Sequence, residues 1–367
     1  MKIGVLSINW AAGGEATSAA IWSLTLDAPL YTWSASGKQL AWHRDDYPFQ
    51  VLGTSPRLLR DSISKLLEYD LLLVFSIGVY GEEKGHPGRY FDLLKESEVP
   101  FIAYLGNNFL LQTFKNGDQL ISLPNCCGYM FVRPDVKRYF LETHPDIFSK
   151  KPCLAIPYPL DISKAEFVPR EQNRFVSATR VQPAKRTKEL VTAFSTYKLE
   201  EACGIRLDIW GDGGGSRYPF LIKEAFPDFW AAHYMGWYDH KAVHPVGDWS
   251  LPIGNTALET IYGQARYAVD LTNFAGDGGI QKCYGEAIIH GVTPIVPDKW
   301  DCGGSAITIP DTSPESIVQG VSHAASLSEA ERKDYWLRGM EYLATKHDPE
   351  SQEHLLRGFL DLCMENA

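Results

Sequence analysis

The 367-residue chain lacks any apolar run of membrane-spanning length, any internal repeat and any low-complexity tract. The first absence argues against a spanning helix, and the others against solenoids and disordered tails. Positive charge is also scarce: 35 Lys and Arg stand against 45 Asp and Glu, a formal net charge of −10. That balance argues against a broad nucleic-acid surface, though not against a local basic patch. Cysteine is sparse and without pattern. The seven residues have no repeating spacing, and Cys126 and Cys127 are adjacent, which an ordinary metal knuckle does not allow. An odd count and no secretory leader suit a reducing cytoplasm, the expected location.

What is present is an ordinary globular composition, 45% hydrophobic and 22% charged. The length favours two domains over one enlarged core. Apolar runs of strand length recur in the first half as KIGVLSI, LLLVFSIG, PFIAYLG, GYMFVR and CLAIPYP. They do not alternate strictly, which predicts parallel strands covered on both faces. SPRLLRDSISKLLEY has helical spacing and feeds directly into LLLVFS, a βαβ pattern. The broken, polar stretch 160–174 is the predicted domain boundary. The pattern then restarts with RFVSATR, a helix at TKELVTAFSTYKLE, and strands at IRLDIWG, AHYMG, YAVDLT, TPIVP and AITI. The expectation is a first α/β domain over 1–165 and a second over 166–345. A C-terminal helix over 346–367 carries Leu355, Leu356, Phe359, Leu360 and Leu362 on one stripe, which could pack back across the boundary or cap the second domain.

The segment from Asp270 to Gly304 carries the most chemistry. A strand ends in a glycine-rich turn containing Asp277, Gly278 and Gly279. A helix bearing Glu286 follows, Gly291 closes it, and TPIVP begins at once. Such a layout aims backbone N–H groups and a carboxylate at a phosphate-bearing ligand. Glu286 could accept both hydroxyls of a ribose, or sit wet at the helix rim. Asp277 could touch sugar hydroxyls or cap the helix. Lys282 could face phosphate or solvent, whereas Cys283 and Tyr284 read as core.

Arg180 ends the strand FVSAT and Lys185 follows five residues later. Two cations there would offset a diphosphate, and fixed cations stabilise a leaving group as it gains charge. A solvated pair beside Arg186 and Lys188 is the plainer alternative. Gly211, Asp212 and Gly213 follow the strand LDIW, where a base or ribose could approach the backbone. Gly13 and Gly14 follow the first strand and precede a helix whose N-terminus could receive a phosphate, or they simply make a tight turn. His86, in a glycine-rich loop with Glu82, Glu83 and Arg89, is a candidate base. Asn107 and Asn108 could bind sugar hydroxyls or shape their turn. His233, His240 and His244 have spacing that zinc accepts, but no cysteine pair supports them and no metal is expected.

These motifs resemble those of the retaining GT-B glycosyltransferases, the group that includes sucrose and glycogen synthases. The likeness lies in Arg180-x4-Lys185, in WGDGGG, in Glu286, Ala287, Gly291 and Pro294, and in Gly13 and Gly14. The resemblance implies an α/β GT-B fold, with two Rossmann-like α/β/α domains facing each other across a cleft. It implies transfer of a hexose from a nucleotide-diphosphate sugar, UDP-sugar favoured, to a hydroxyl with retention. Arg180 and Lys185 would hold the diphosphate and Glu286 the ribose, with no tightly bound cofactor. Gly278 stands where the family has its first glutamate, so that acidic role is either shifted to Asp277, one position earlier, or absent. Arg186 stands where the family has glycine after the lysine. The acceptor could be a small glycan or metabolite. It could instead be a hydroxymethylated DNA base, with Arg57, Arg60, Lys65, Lys84, Arg89 and Lys115 supplying a basic track. An epimerase or a noncatalytic sugar-nucleotide binder shares the same plan.

Overall fold

The computed structural model describes residues 1–7, 14–34, 36–38, 47–75, 88–105, 121, 123–170, 173–179, 181–211, 217–236, 260–272, 282–300 and 303–366. The chain divides into two compact units. The first comprises Met1–Asp161, His244–Pro252 and Lys346–Ala367; the second comprises Ile162–Val243 and Ile253–Thr345.

The first unit is built on β1 (Ile3–Ser7), β2 (Leu30–Ser34), β3 (Gln50–Gly53), β4 (Leu71–Phe75), β5 (Phe101–Leu105), β6 (Cys126–Phe131) and β7 (Cys153–Ala155). Their order is β3-β2-β1-β4-β5-β6-β7, and the described pairings are parallel. β1, β4, β5 and β6 are buried along their whole length, which is why their sequences run apolar without alternation. The strand order reverses between β1 and β4, so the carboxyl ends of those two strands flank a topological switch point. The helix Gly14–Thr25 starts seven residues after β1 ends, with Ala16, Ala19, Ala20 and Trp22 buried in the unit's core.

The C-terminal helix Pro349–Glu365 joins this first unit. Asp348 caps it by accepting a hydrogen bond from the Ser351 N–H at 3.0 Å, and Pro349 follows, where its missing N–H costs nothing. Leu356, Phe359, Leu360 and Cys363 lie in the same core cluster as β6. Leu355 and Leu362 are 42% and 47% exposed, so the buried stripe is narrower than the sequence suggests and ends on a cysteine. A Cβ at Gly128 would run into the Cys363 sulfur and stand 3.3 Å from the Pro152 carbonyl oxygen, so glycine here suits the close approach of the helix to β6.

Just before this helix, His347 is 2% exposed and donates from Nδ1 to the Tyr158 carbonyl at 2.8 Å, while its own carbonyl accepts from the Leu160 N–H at 2.8 Å. Burial pushes its pKa down from 6.5 to about 4, despite the opposing hydrogen bond to Tyr158. The unfolded chain therefore takes up a proton between pH 6.5 and about 4 that the folded chain refuses. Stability from this residue is full above pH 6.5 and falls as pH drops to about 4, by roughly 3 kcal/mol in total. We expect urea midpoints measured at pH 7 and pH 4.5 to differ less in H347N than in the native protein. Equal differences would remove His347 as a source of acid sensitivity.

The second unit holds β8 (Arg174–Ala178), β9 (Arg206–Trp210), β10 (Tyr234–Gly236), β11 (Tyr267–Val269), β12 (Thr293–Pro297) and β13 (Ile307–Ile309). They form a parallel sheet in the order β10-β9-β8-β11-β12-β13. Helices Thr187–Thr196 and Pro314–Ser326 bury Leu190, Val191, Phe194, Ile317 and Val321 against one face. Ala287 of the helix Lys282–Ile289, with Tyr262 and Ala265, covers the other. Both units are thus three-layered α/β/α folds of the doubly wound type. Among the described residues, no helix is long and apolar enough to cross a membrane.

Candidate functional site

In the second unit the strand order reverses between β8 and β11. After β8 the chain leads to Lys185 and the N-terminus of the helix Thr187–Thr196; after β11 it leads to Asp270 and Thr272. The sheet thereby gathers these residues at the carboxyl ends of its two central strands, where open α/β sheets bind ligands.

The contacts there form one network. Lys185 Nζ donates to Thr272 Oγ1 at 2.7 Å. The Thr272 hydroxyl and backbone N–H both donate to Asp270 Oδ1, the N–H at 3.0 Å. Cys283 Sγ donates to Asp270 Oδ2 at 2.9 Å, and Trp300 Nε1 donates to the Thr272 carbonyl at 3.0 Å. Asp270 is buried, which by itself would raise its pKa. The Lys185 charge and the hydrogen bonds from Cys283 and Thr272 outweigh burial and hold it below the ordinary carboxylate value. Burial, and then the neighbouring Asp270 charge, push the Cys283 thiol well above its usual range. It therefore stays protonated as a donor to the carboxylate. Ala178, Thr179, Asp270, Cys283 and Pro294 line a small recess at this point.

Glu286 lies on the helix Lys282–Ile289, whose first residue, Lys282, pairs with it at 3.3 Å; both side chains are about 15% exposed. Lys282 is therefore neither a solvated bystander nor an isolated cation. Glu286 also acts electrostatically on Cys283, which links it to the Asp270 network. Tyr284 is core, as expected, and its hydroxyl bonds Ser305 at 2.7 Å.

Gly211 directly follows β9, beside Thr179, whose N–H donates to the Trp210 carbonyl at 3.1 Å. Its φ of 149° suits glycine, and Tyr234 Oη donates to its carbonyl at 2.8 Å. Arg186 has φ 53° and ψ 31°, the left-handed conformation that glycine adopts without cost. The backbone thus keeps the geometry of the glycine that the sequence lacks, and Arg186 offsets part of the strain by pairing with Glu189 at 2.9 Å.

Gly14 begins the helix after β1 in the first unit. Arg180, His86, Asp277, Gly13, Asp212, Gly213, Gly278 and Gly279 lie outside the described residues, as do Asn107, Asn108, His240 and His244. His233 is buried, with Nδ1 against the Leu207 carbonyl at 2.8 Å and Nε2 3.3 Å from Glu200. Its ring is committed to packing and not to a metal. Among the described residues, no group of three or more His, Cys, Asp or Glu could hold a metal ion.

Sequence reasoning missed Asp270 and Thr272. Their signal was a polar pair placed directly after the buried run YAV, where the chain leaves the sheet.

No family model matches the sequence, and no curated protein matches it. Solved structures do. An alpha-glucosyltransferase in complex with UDP superposes with a TM-score of 0.69 at 11% identity, covering 99% of both chains. The same kind of enzyme with UDP and a 13-mer DNA containing a HMU base matches with a TM-score of 0.69 at 10% identity, again over 99% of each. HepE from Anabaena in complex with UDP gives 0.68 at 11% identity, covering 98% of this chain and 100% of its own. Trehalose 6-phosphate synthase from Burkholderia multivorans gives 0.64 at 12% identity, covering 99% and 97%. Two doubly wound units, matched almost end to end, identify the fold as GT-B, the architecture shared with these solved structures.

Proposed function

We propose that the protein transfers a hexose from a UDP-sugar to a hydroxymethylated base in DNA, with retention at the anomeric carbon. The observation that carries the donor half is the placement of Lys185 at the switch point between β8 and β11, beside the positive end of the helix Thr187–Thr196. A cation and a helix N-terminus there suit a diphosphate, and the solved structures of the same fold carry UDP. Arg180, five residues earlier, supplies the second charge. Asp212 and the glycines around it accommodate the nucleoside, and Glu286 takes the ribose hydroxyls. As the bond from the anomeric carbon to the diphosphate breaks, charge accumulates on the phosphates. Lys185 and Arg180 stabilise that charge more strongly than they stabilise the bound donor, and this lowers the barrier. His86 and Asp277 remain the candidates for contact with the transferred sugar and the attacking hydroxyl.

The acceptor half is supported by the end-to-end likeness to an alpha-glucosyltransferase bound to modified DNA. Arg57, Arg60 and Lys65 are exposed on or beside the helix Leu59–Leu66, whose Ser62 and Leu66 face the core. The net charge of −10 favours a second reading, a small glycan or phosphosugar acceptor, which the likeness to trehalose 6-phosphate synthase also suits.

The test begins with UDP-, GDP- and ADP-glucose at millimolar concentration. A ligand that binds only the native state raises the melting temperature by mass action, and UDP-glucose is expected to raise it most. The protein is then incubated with radiolabelled UDP-glucose and either a duplex containing 5-hydroxymethylated pyrimidines or a panel of glycans and phosphosugars. Label in the duplex, declining steeply with added salt, supports the DNA acceptor. Label only in a small acceptor selects the second reading, and no shift with any nucleotide sugar would sink both.

A further inference from the structure

We infer that Thr272, locked in place by Asp270, is a positioning residue that aims the Lys185 ammonium at the donor diphosphate. The inference rests on the UDP-sugar reading above and adds to it a residue outside the Arg-x4-Lys and glutamate motifs. Thr272 is fully buried, and three of its groups are held at once. Its N–H and its hydroxyl both donate to Asp270 Oδ1, and its carbonyl accepts from Trp300 Nε1 at 3.0 Å. The N–H contact is an Asx-type turn, made by a carboxylate two residues back in the chain. β-Branching further restricts the Thr272 side chain.

With its proton directed at Asp270, the hydroxyl oxygen has only acceptor capacity left, and Lys185 Nζ donates to it at 2.7 Å. The polarity of the relay is therefore set: ammonium to hydroxyl to carboxylate. Cys283 donates to the second carboxylate oxygen at 2.9 Å, so each Asp270 oxygen already accepts a hydrogen bond. The arrangement matters chemically. A direct Lys185–Asp270 ion pair would compete with phosphate for the cation. A hydroxyl fixed by the carboxylate holds the flexible lysine chain in one direction. A diphosphate arriving at the strand ends then meets an ammonium whose orientation is already set, which reduces the ordering cost of binding and of the transition state.

The experiment compares Thr272→Val, which keeps the shape and loses the hydroxyl, with Thr272→Ser, which keeps the hydroxyl. Melting temperature, affinity for UDP and for uridine, and kcat for UDP-glucose hydrolysis or transfer are measured on each. T272V is expected to bind UDP about tenfold more weakly, to bind uridine as the native protein does, and to lose about 10²-fold in kcat. T272S is expected to recover most of both. Should T272V fold poorly, Asp270→Asn supplies the same comparison, with the relay's anchoring charge removed and its shape kept. Native-like UDP affinity and kcat in T272V, or equal losses for UDP and uridine, would overturn the positioning role. If the native protein itself failed to bind UDP, the donor reading would fall and this inference with it. Native binding with an unaffected T272V would remove this inference alone.

Discussion

Lys185→Ala is expected to lower kcat for transfer from UDP-glucose by about 10²–10³-fold, because a preorganised charge facing a leaving group typically contributes about 3–4 kcal/mol to the transition state. The variant's melting temperature should fall as well, because buried Asp270 loses the charge that offsets its burial. The residue ends the short 3-10 turn Pro183–Lys185, immediately before Arg186 in its left-handed conformation and the helix Thr187–Thr196. Its cation therefore adds to the positive end of that helix. The charge on the diphosphate grows as the glycosidic bond breaks, so the loss should fall more on kcat than on KM. Lys185→Arg keeps the charge but carries a planar fork where Thr272 accepts a single hydrogen bond, and it should recover only part of the activity. Thermal melting checks that the alanine variant is folded. Turnover within a few-fold of the native value would remove Lys185 from the transition state and, with it, the central support for the donor reading.

Much of this site was legible because its parts follow buried strands. The runs RFVSA, RLDIW, YAV and TPIVP are short and mostly buried, and each corresponds to a strand of the second sheet. Gly211 could be singled out because it directly follows such a run, Lys185 by its spacing from Arg180 after the preceding strand, and Glu286 by its place on the helix before TPIVP. β2 and β3 were not legible. LYTWS interleaves polar residues, and QVLG is only four residues long and starts exposed. They are strands because β1 offers β2 an edge and β2 offers β3 one, a tertiary cause that local pattern does not carry.

Asp270 and Thr272 were overlooked for a different reason. Nothing in DLT distinguishes a network from an ordinary turn until the strand order places it opposite Lys185. Similarly, Cys283 read as core, yet its sulfur serves Asp270. Lys282 read as phosphate-facing or solvated, yet it neutralises Glu286 from one helical turn away. In each case the residue type was compatible with several partners and only the packing chose one. Arg186 is the converse. The sequence shows a departure from glycine, while the backbone at that position keeps the dihedral angles glycine would have.

Gly291→Ala is expected to destabilise the second unit by about 3 kcal/mol, a large effect for one added methyl group. Gly291 follows the Glu286 helix and has φ 69°, a region in which a Cβ is strained by itself. The added carbon would also stand 2.6 Å from the Glu166 carbonyl oxygen and 2.9 Å from the Val168 nitrogen, both backbone atoms with no rotamer to yield. That stretch of chain is held where it is, since the Glu166 N–H donates to the Ile289 carbonyl at 3.1 Å. The Gly291 carbonyl accepts from Arg332 at 3.1 Å and from Arg170 at 3.3 Å, while Arg170 also donates to the His290 carbonyl at 2.9 Å. Relieving the clash would therefore pull on two guanidinium groups that cap the carbonyls at the end of this helix. Since the helix carries both Cys283 and Glu286, any such shift displaces residues of the proposed donor site. For a unit of this size the loss corresponds to a fall in melting temperature on the order of 10 °C, measurable by calorimetry. At a temperature where the variant is still folded, its affinity for UDP should also be reduced. A melting temperature within about 2 °C of native, with unchanged UDP affinity, would show that the segment from Glu166 to Val168 gives way more easily than its hydrogen bonds imply.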